Sequence, residues 1–368
     1  AIQSVEIDKP VMVTGTGAMT IATNDGGSGG DLLFNGKGNV TFWDLSSSLV
    51  INGNSYTLIN DIPMLASDIA ANPSGFYALA NKIDPKHESF NNVPIRTEFL
   101  GTFEGLGQTI SHLKIKHDMK NQEGFFAISD GIMRDIHLKQ VDILSPSSQD
   151  EVGALVGLKR GSIFNASADG TASGSATDMG GRVGFNQGRV TNSSAAVAVI
   201  GFDSAVVGGL IGSSTGLVVN SHATGAVTVG EGAAGGLVGN AASIRLSFAT
   251  GAVTGGDASV VGGLAGASYQ ISQSYASGPV TAGSNGAVAG GLVGDGSGIE
   301  NSYSTGAVHV GSQMNEIGGF AGIGNSIKTS YSLGEVGADA GSDVGGFIGK
   351  TSGHDSDSNY WDTDTSGM

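Results

Sequence analysis

Across 368 residues the chain sets 17 Lys and Arg against 33 Asp and Glu, a net charge of −16, so nucleic acid and anionic membrane surfaces would repel it at long range. With no cysteine it has neither disulfides nor thiolate metal sites, and no stretch approaches the roughly 18 apolar residues of a spanning helix. The 63 glycines, beside 39% hydrophobic and only 14% charged residues, point to an ordered chain with many tight corners rather than a disordered one.

Residues 1–60 form a first region of irregular solenoid coils. Val11 to Phe42 alternates apolar and polar residues around Asn24-Asp25-Gly26-Gly27-Ser28-Gly29-Gly30, the pattern of short strands with a loop. Leu49 to Ile59 predicts a hairpin or corner at Asn52-Gly53. In the second region, 61–150, Ile62, Leu65 and Ile69 stand at helical spacing between Asp61 and Asn72-Pro73, so a short helix capping the rod is expected there. Phe99 to Ile115 and Glu123 to Ala127 follow as opening, less regular coils. Lys82 through Lys139 is the basic part of the chain; its acidic and polar neighbours favour a solvated face over an anionic-glycan patch.

The third region, 151–368, restates one phrase. Gly157, Gly184, Gly212, Gly239, Gly266, Gly294, Gly322 and Gly349 close its copies, at steps of 27, 28, 27, 27, 28, 28 and 27 residues. A fixed period of this kind means one structural unit stacked on copies of itself. The units hold short Val, Ile, Thr and Tyr segments punctuated by glycine, which are strands meeting at corners, not helices. Val199, Val227, Val253, Val280, Val308 and Val336 form one column of the alignment. Val190, Val218, Ile244, Ile271, Ile299 and Ile327 form a second, and Leu210, Leu237, Leu264, Leu292, Phe320 and Phe347 a third. Like residues recurring once per coil predict an all-β, parallel β-solenoid in which equivalents stack about 4.8 Å apart inside. Gly225, Gly251, Gly278, Gly306 and Gly334 share one offset, where a corner needs positive φ or leaves no room for a Cβ.

Candidate functional residues come from the same alignment. Phe248, Tyr275, Tyr303, Tyr331 and Tyr360, preceded by His222, form an aromatic column that is either a structural ladder, the preferred reading, or an exposed sugar platform. The alternation leaves its side open, because Ser302 and Ser304 belong to columns that look internal; a corner or bulge beside them would reconcile the two. Glu316 and Asp343 share an offset and would stack about 5 Å apart, the separation of a retaining glycosidase pair, against the plainer reading of a solvated turn. Asp362-Thr-Asp364-Thr-Ser-Gly367 matches the opening of a calcium loop without its twelfth-position glutamate, with His354, Asp355 and Asp357 as candidate extra ligands. No other cofactor is expected. The Gly-Gly pairs precede no helix and carry no closing Lys-Ser/Thr, so they are not a nucleotide loop.

The Gly-Gly-Leu-Val-Gly phrases with Asn301-Ser-Tyr-Ser-Thr-Gly-Ala-Val308 resemble GLUG repeats, and Asn359-Tyr-Trp-Asp-Thr-Asp-Thr-Ser366 is similar to the segment closing such arrays. Tyr77 to Asp84 and Phe99 to Ile110 resemble the segment preceding them, and the start is more weakly similar to filamentous-haemagglutinin-type exoproteins. The resemblance implies a right-handed parallel β-helix in a secreted or surface-attached bacterial adhesin, exported through an outer-membrane transporter. The chain starts at Ala1 without a leader, so a mature piece of a longer protein is expected. The expected role is a non-enzymatic rod contacting carbohydrate or a host or matrix surface, without membrane insertion. The runner-up is a glycan-active β-helix enzyme.

Overall fold

The structure, a computed structural model, describes residues 4–23, 30–86, 88–116, 122–146, 151–202, 205–313, 315–339, 341–353 and 356–367. It is a parallel β-solenoid of about 12 turns with coils of about 28 residues, on the order of 50 Å long at one strand spacing per turn. No helix among the described residues is long and apolar enough to cross a membrane.

Each regular coil contributes to three walls. One is the eight-stranded sheet that begins at Glu151–Gly153 and ends at Asp343–Gly345. A second holds Val238–Arg245, Val293–Glu300 and Ala321–Lys328, and a third holds the aromatic column with Val253–Gly255 and its equivalents. The columns expected from the alignment are strand partners: Val253 faces Val280 and Val280 faces Val308, while Ile271 pairs Ile299 and Ile299 pairs Ile327. All six residues are buried, and the main apolar cluster runs without a break from Ile59 to Phe347. Phe320 and Phe347 stack at 4.6 Å within it.

The recurring Asn-Ser-Tyr triplet has a division of labour. Asn165, Asn192, Asn220 and Asn301 take positive φ of 44–51°, the left-handed conformation that asparagine tolerates better than most side chains, and they turn the corner. Leu246, Gln273 and Thr329 do the same in their own coils. The serines behind them, Ser193, Ser221, Ser247, Ser274, Ser302 and Ser330, are buried. Each of the first five takes its amide to the hydroxyl of the next serine at 3.1–3.3 Å, and every hydroxyl donates to a carbonyl two residues back. The corner thus solves its own buried-polar problem with a serine ladder. The third residue points out. The glycine column at 225, 251, 278, 306 and 334 is there for the second of the two expected reasons: none has positive φ, and a Cβ at each would overlap a carbonyl of the preceding coil.

Irregularity is concentrated before residue 151. The hairpin forms between Ser48–Ile51 and Asn54–Ile59, with Asn52 and Gly53 both at positive φ. Helix α1 spans Ile62–Ala71; Asp61 caps it by accepting from the Met64 amide at 2.7 Å, and Ile62, Leu65 and Ile69 are buried in the main cluster. Asn24–Gly29, within the expected loop, lies outside the described residues. The opening coils pair in parallel with partners 27–30 residues on, as in Val5↔Leu32 and Ala18↔Ser48, but they enclose a second apolar cluster of their own. Leu58, Ala78 and Ala80 belong to that cluster, while Ile59, Tyr77 and Leu79 belong to the main one. Leu58-Ile59 and Tyr77 to Leu79 are therefore part of a shared wall buried on both faces, which is why those residues run apolar without alternation.

Candidate functional site

The aromatic column lies on the outer side of its wall. Ala276 and Ser304 point inward beside Tyr275 and Tyr303, which are half-buried, whereas Tyr331 and Tyr360 are 38% and 70% exposed. The left-handed corner at Asn301 resolves the alternation that sequence left open, since it lets Ile299, Ser302 and Ser304 all face inward with Tyr303 facing out. Successive rings from His222 through Phe248, Tyr275, Tyr303 and Tyr331 stack at 4.7, 4.9, 4.8 and 5.0 Å, tilted by no more than 5°. Tyr360 follows in register with Tyr331. Within the stack each ring turns its faces to its neighbours, so the surface receives ring edges and a row of tyrosine hydroxyls. A sugar needs a free ring face to stack, and the interior of this ladder offers none. Burial lowers the His222 pKa, and burial followed by the neighbouring Tyr275 and Tyr331 raises that of Tyr303. Both are neutral at pH 7.

Glu316 and Asp343 are strand partners on adjacent coils, at the first residues of Glu316–Gly318 and Asp343–Gly345. Glu316 is ion-paired to Lys350 at 2.8 Å and Asp343 is exposed. At the tail, Asp362 accepts from the Asp364 amide at 3.0 Å and caps a second helix, α2 (Thr363–Ser366), which Gly367 ends at φ 73°. His354 and Asp355 lie outside the described residues, and among the described residues no three acidic or histidine side chains gather as a metal site. Within the basic stretch Lys114 pairs with Asp142 at 2.8 Å and Lys86 with Asp84 at 3.8 Å, and beyond it Arg160 pairs with Glu98 at 2.6 Å and Asp130 at 3.1 Å.

Buried charged side chains escaped sequence reasoning. Where the opening coils meet the main rod, Arg134 bridges Glu104 at 3.1 Å, Asp135 at 3.3 Å and, from the opening coils, Asp31. Burial pushes Asp135 up to about 6, with Asn165 and Arg134 opposing, and burial plus Asp135 puts Glu104 well above the usual glutamate value. The folded chain thus keeps protons that the unfolded chain releases above about pH 4. Stability falls as pH rises through about 4 to 6, because the unfolded state binds fewer protons there. We expect a denaturation midpoint higher at pH 4.5 than at pH 7.5, by on the order of 2 kcal/mol for Asp135. The difference should shrink in Asp135→Asn. Another is Arg182, fully buried in the column of Leu155 and Leu210, where its Nη1 donates to the Ala166 carbonyl while Nε and Nη2 have no partner.

No family model matches the chain. A stretch of 135 residues, 36% of the chain, is 32% identical to part of Halomucin from Haloquadratum walsbyi (strain DSM 16790 / HBSQ001) and covers 1% of that protein. The chain spans about a hundredth of the curated relative it matches, so the likeness is one of a segment and leaves that protein's role with that protein.

Proposed function

We propose that the chain is a rigid, non-enzymatic rod in a secreted or cell-surface exoprotein, serving as spacer and as adhesive surface. The observation that carries this reading is the unbroken apolar stack from Ile59 to Phe347, which stiffens the molecule along one axis. The likeness of its phrases to GLUG repeats supports export to the surface. The row of tyrosine hydroxyls along the aromatic ladder supplies a lateral contact for glycan or protein. Beads coated with the chain should adhere to a panel of glycans and matrix proteins, and Tyr303→Ala should weaken that adhesion. No adhesion anywhere on the panel would leave only the spacer role.

One observation favours the enzyme reading, the in-register acids Glu316 and Asp343. Against it, Glu316 is ion-paired to Lys350 at 2.8 Å. Incubation with neutral and anionic polysaccharides should release neither reducing ends nor unsaturated sugars. Release that Glu316→Gln abolishes would make the rod an enzyme.

A further inference from the structure

An open groove of about 430 Å³ runs lengthwise over the wall containing Val238–Arg245, crossing the coils from Phe185 to Ser352. Its floor is made of small residues that face inward. Ser214, Ala241, Ser268 and Gly296 follow one another there in register and are all buried. Between Ser214 and Leu217 the register also shifts, the mark of a bulge.

The groove presents unspent polar groups and one free ring. Among the described residues, the side chains of Asn240, Asp295 and Asn325 make no hydrogen bond, although all three line it. Asn240 and Asp295 stand two coils apart in one column, joined through Ala267. Tyr269 rises among them 76% exposed and, unlike the ladder tyrosines, stacks on no other ring among the described residues. An aromatic face beside amides and hydroxyls suits a ring that is apolar on one side and hydroxylated at its rim. The strands below are fully paired within the wall, so no backbone edge is offered for an extended peptide. Asp295 and the net charge of −16 repel an anionic chain.

We propose that this groove holds a linear, uncharged polysaccharide laid along the rod, with Tyr269 under one sugar ring and Asn240, Asp295 and Asn325 bonding its hydroxyls. The coil repeat of about 4.8 Å sets the spacing along the rod, and Ser214, Ala241, Ser268 and Gly296 keep the floor small under successive sugars. Asp295 is the one carboxylate among the described residues that line the groove, whereas glycoside cleavage uses two, and the proposal is of binding without cleavage. It lies on a different wall from the tyrosine ladder and does not depend on what the ladder does.

Titration calorimetry of the full chain with cello-, xylo-, manno- and chito-oligosaccharides of increasing length tests this. At least one series should bind, with affinity that climbs with length and then levels off. Tyr269→Ala should weaken it about tenfold, Ala242→Trp should abolish it by filling the groove, and Trp43→Ala, at an exposed ring of the opening coils, should leave it unchanged. The exposed position of Tyr269 lets its variant fold normally, which circular dichroism checks. The proposal is overturned if no uncharged oligosaccharide binds, if binding survives Ala242→Trp, or if a polyuronate binds better than every neutral chain.

Discussion

Gly278→Val is expected to break the rod in the middle. A Cβ at this position would overlap the carbonyl oxygen of Gly251 and stand 2.6 Å from its carbon and 2.9 Å from the Thr250 carbonyl oxygen. These are backbone atoms of the adjacent coil, so no rotamer change relieves the clash. Relief requires the coils to separate there, which costs Val253↔Val280 and Val280↔Val308 their pairing. The loss should be on the order of 4 kcal/mol or more, at the extreme of single substitutions. Because each coil is held by its two neighbours, the damage should stay local before it spreads. Limited proteolysis should cut near residue 278 while the coils before Gly225 stay protected. A variant as resistant as the parent would mean that the coils are not packed as closely as the glycine column implies.

Arg182→Leu should do the opposite and stabilise the chain. Leu155 donates its amide to the Arg182 carbonyl at 3.0 Å, and Arg182 donates to Leu210 at 3.0 Å, so the arginine occupies a slot that leucine fills in the coils on either side. Burial lowers its pKa to about 9, which still leaves a cation at neutral pH, and among the described residues no acidic side chain offsets it. Two of its nitrogens have lost water without gaining a partner. Replacing a poorly compensated buried charge by an apolar side chain typically gains about 1–4 kcal/mol. Urea unfolding should show the midpoint moving up with an unchanged slope. A lower midpoint would show that the guanidinium is satisfied inside the rod by something the leucine cannot replace.

The architecture was legible because stacking converts sequence period directly into space. Val253, Val280 and Val308 could be placed side by side from spacing alone, and they are strand partners. Local chemistry was legible too at Asp61, where a cap precedes apolar residues at helical spacing, and at Asn52-Gly53, where the dipeptide dictates the turn. The direction of Tyr303 was not legible, since it depends on one left-handed residue, Asn301, that breaks the alternation. Arg182 was within reach, because it lies 28 residues before Leu210 in a leucine column, but a lone cation among leucines looks like a surface variation until its burial is known. Glu104 and Asp135 meet through opening coils that keep no fixed period, so spacing could not bring them together. The groove escaped for another reason: the Ser, Ala and Asn residues that line it carry no signature.

The serine ladder bears on how such a gene can change. Each hydroxyl meets an amide only because the next serine returns after 26 to 28 residues, as from Ser193 to Ser221 and from Ser221 to Ser247. Unequal recombination that removes or duplicates one whole phrase keeps every such meeting intact. A frame-preserving change of half a phrase strands buried donors at the join. Reach can therefore drift between descendants by single turns while girth and lateral chemistry are inherited unaltered.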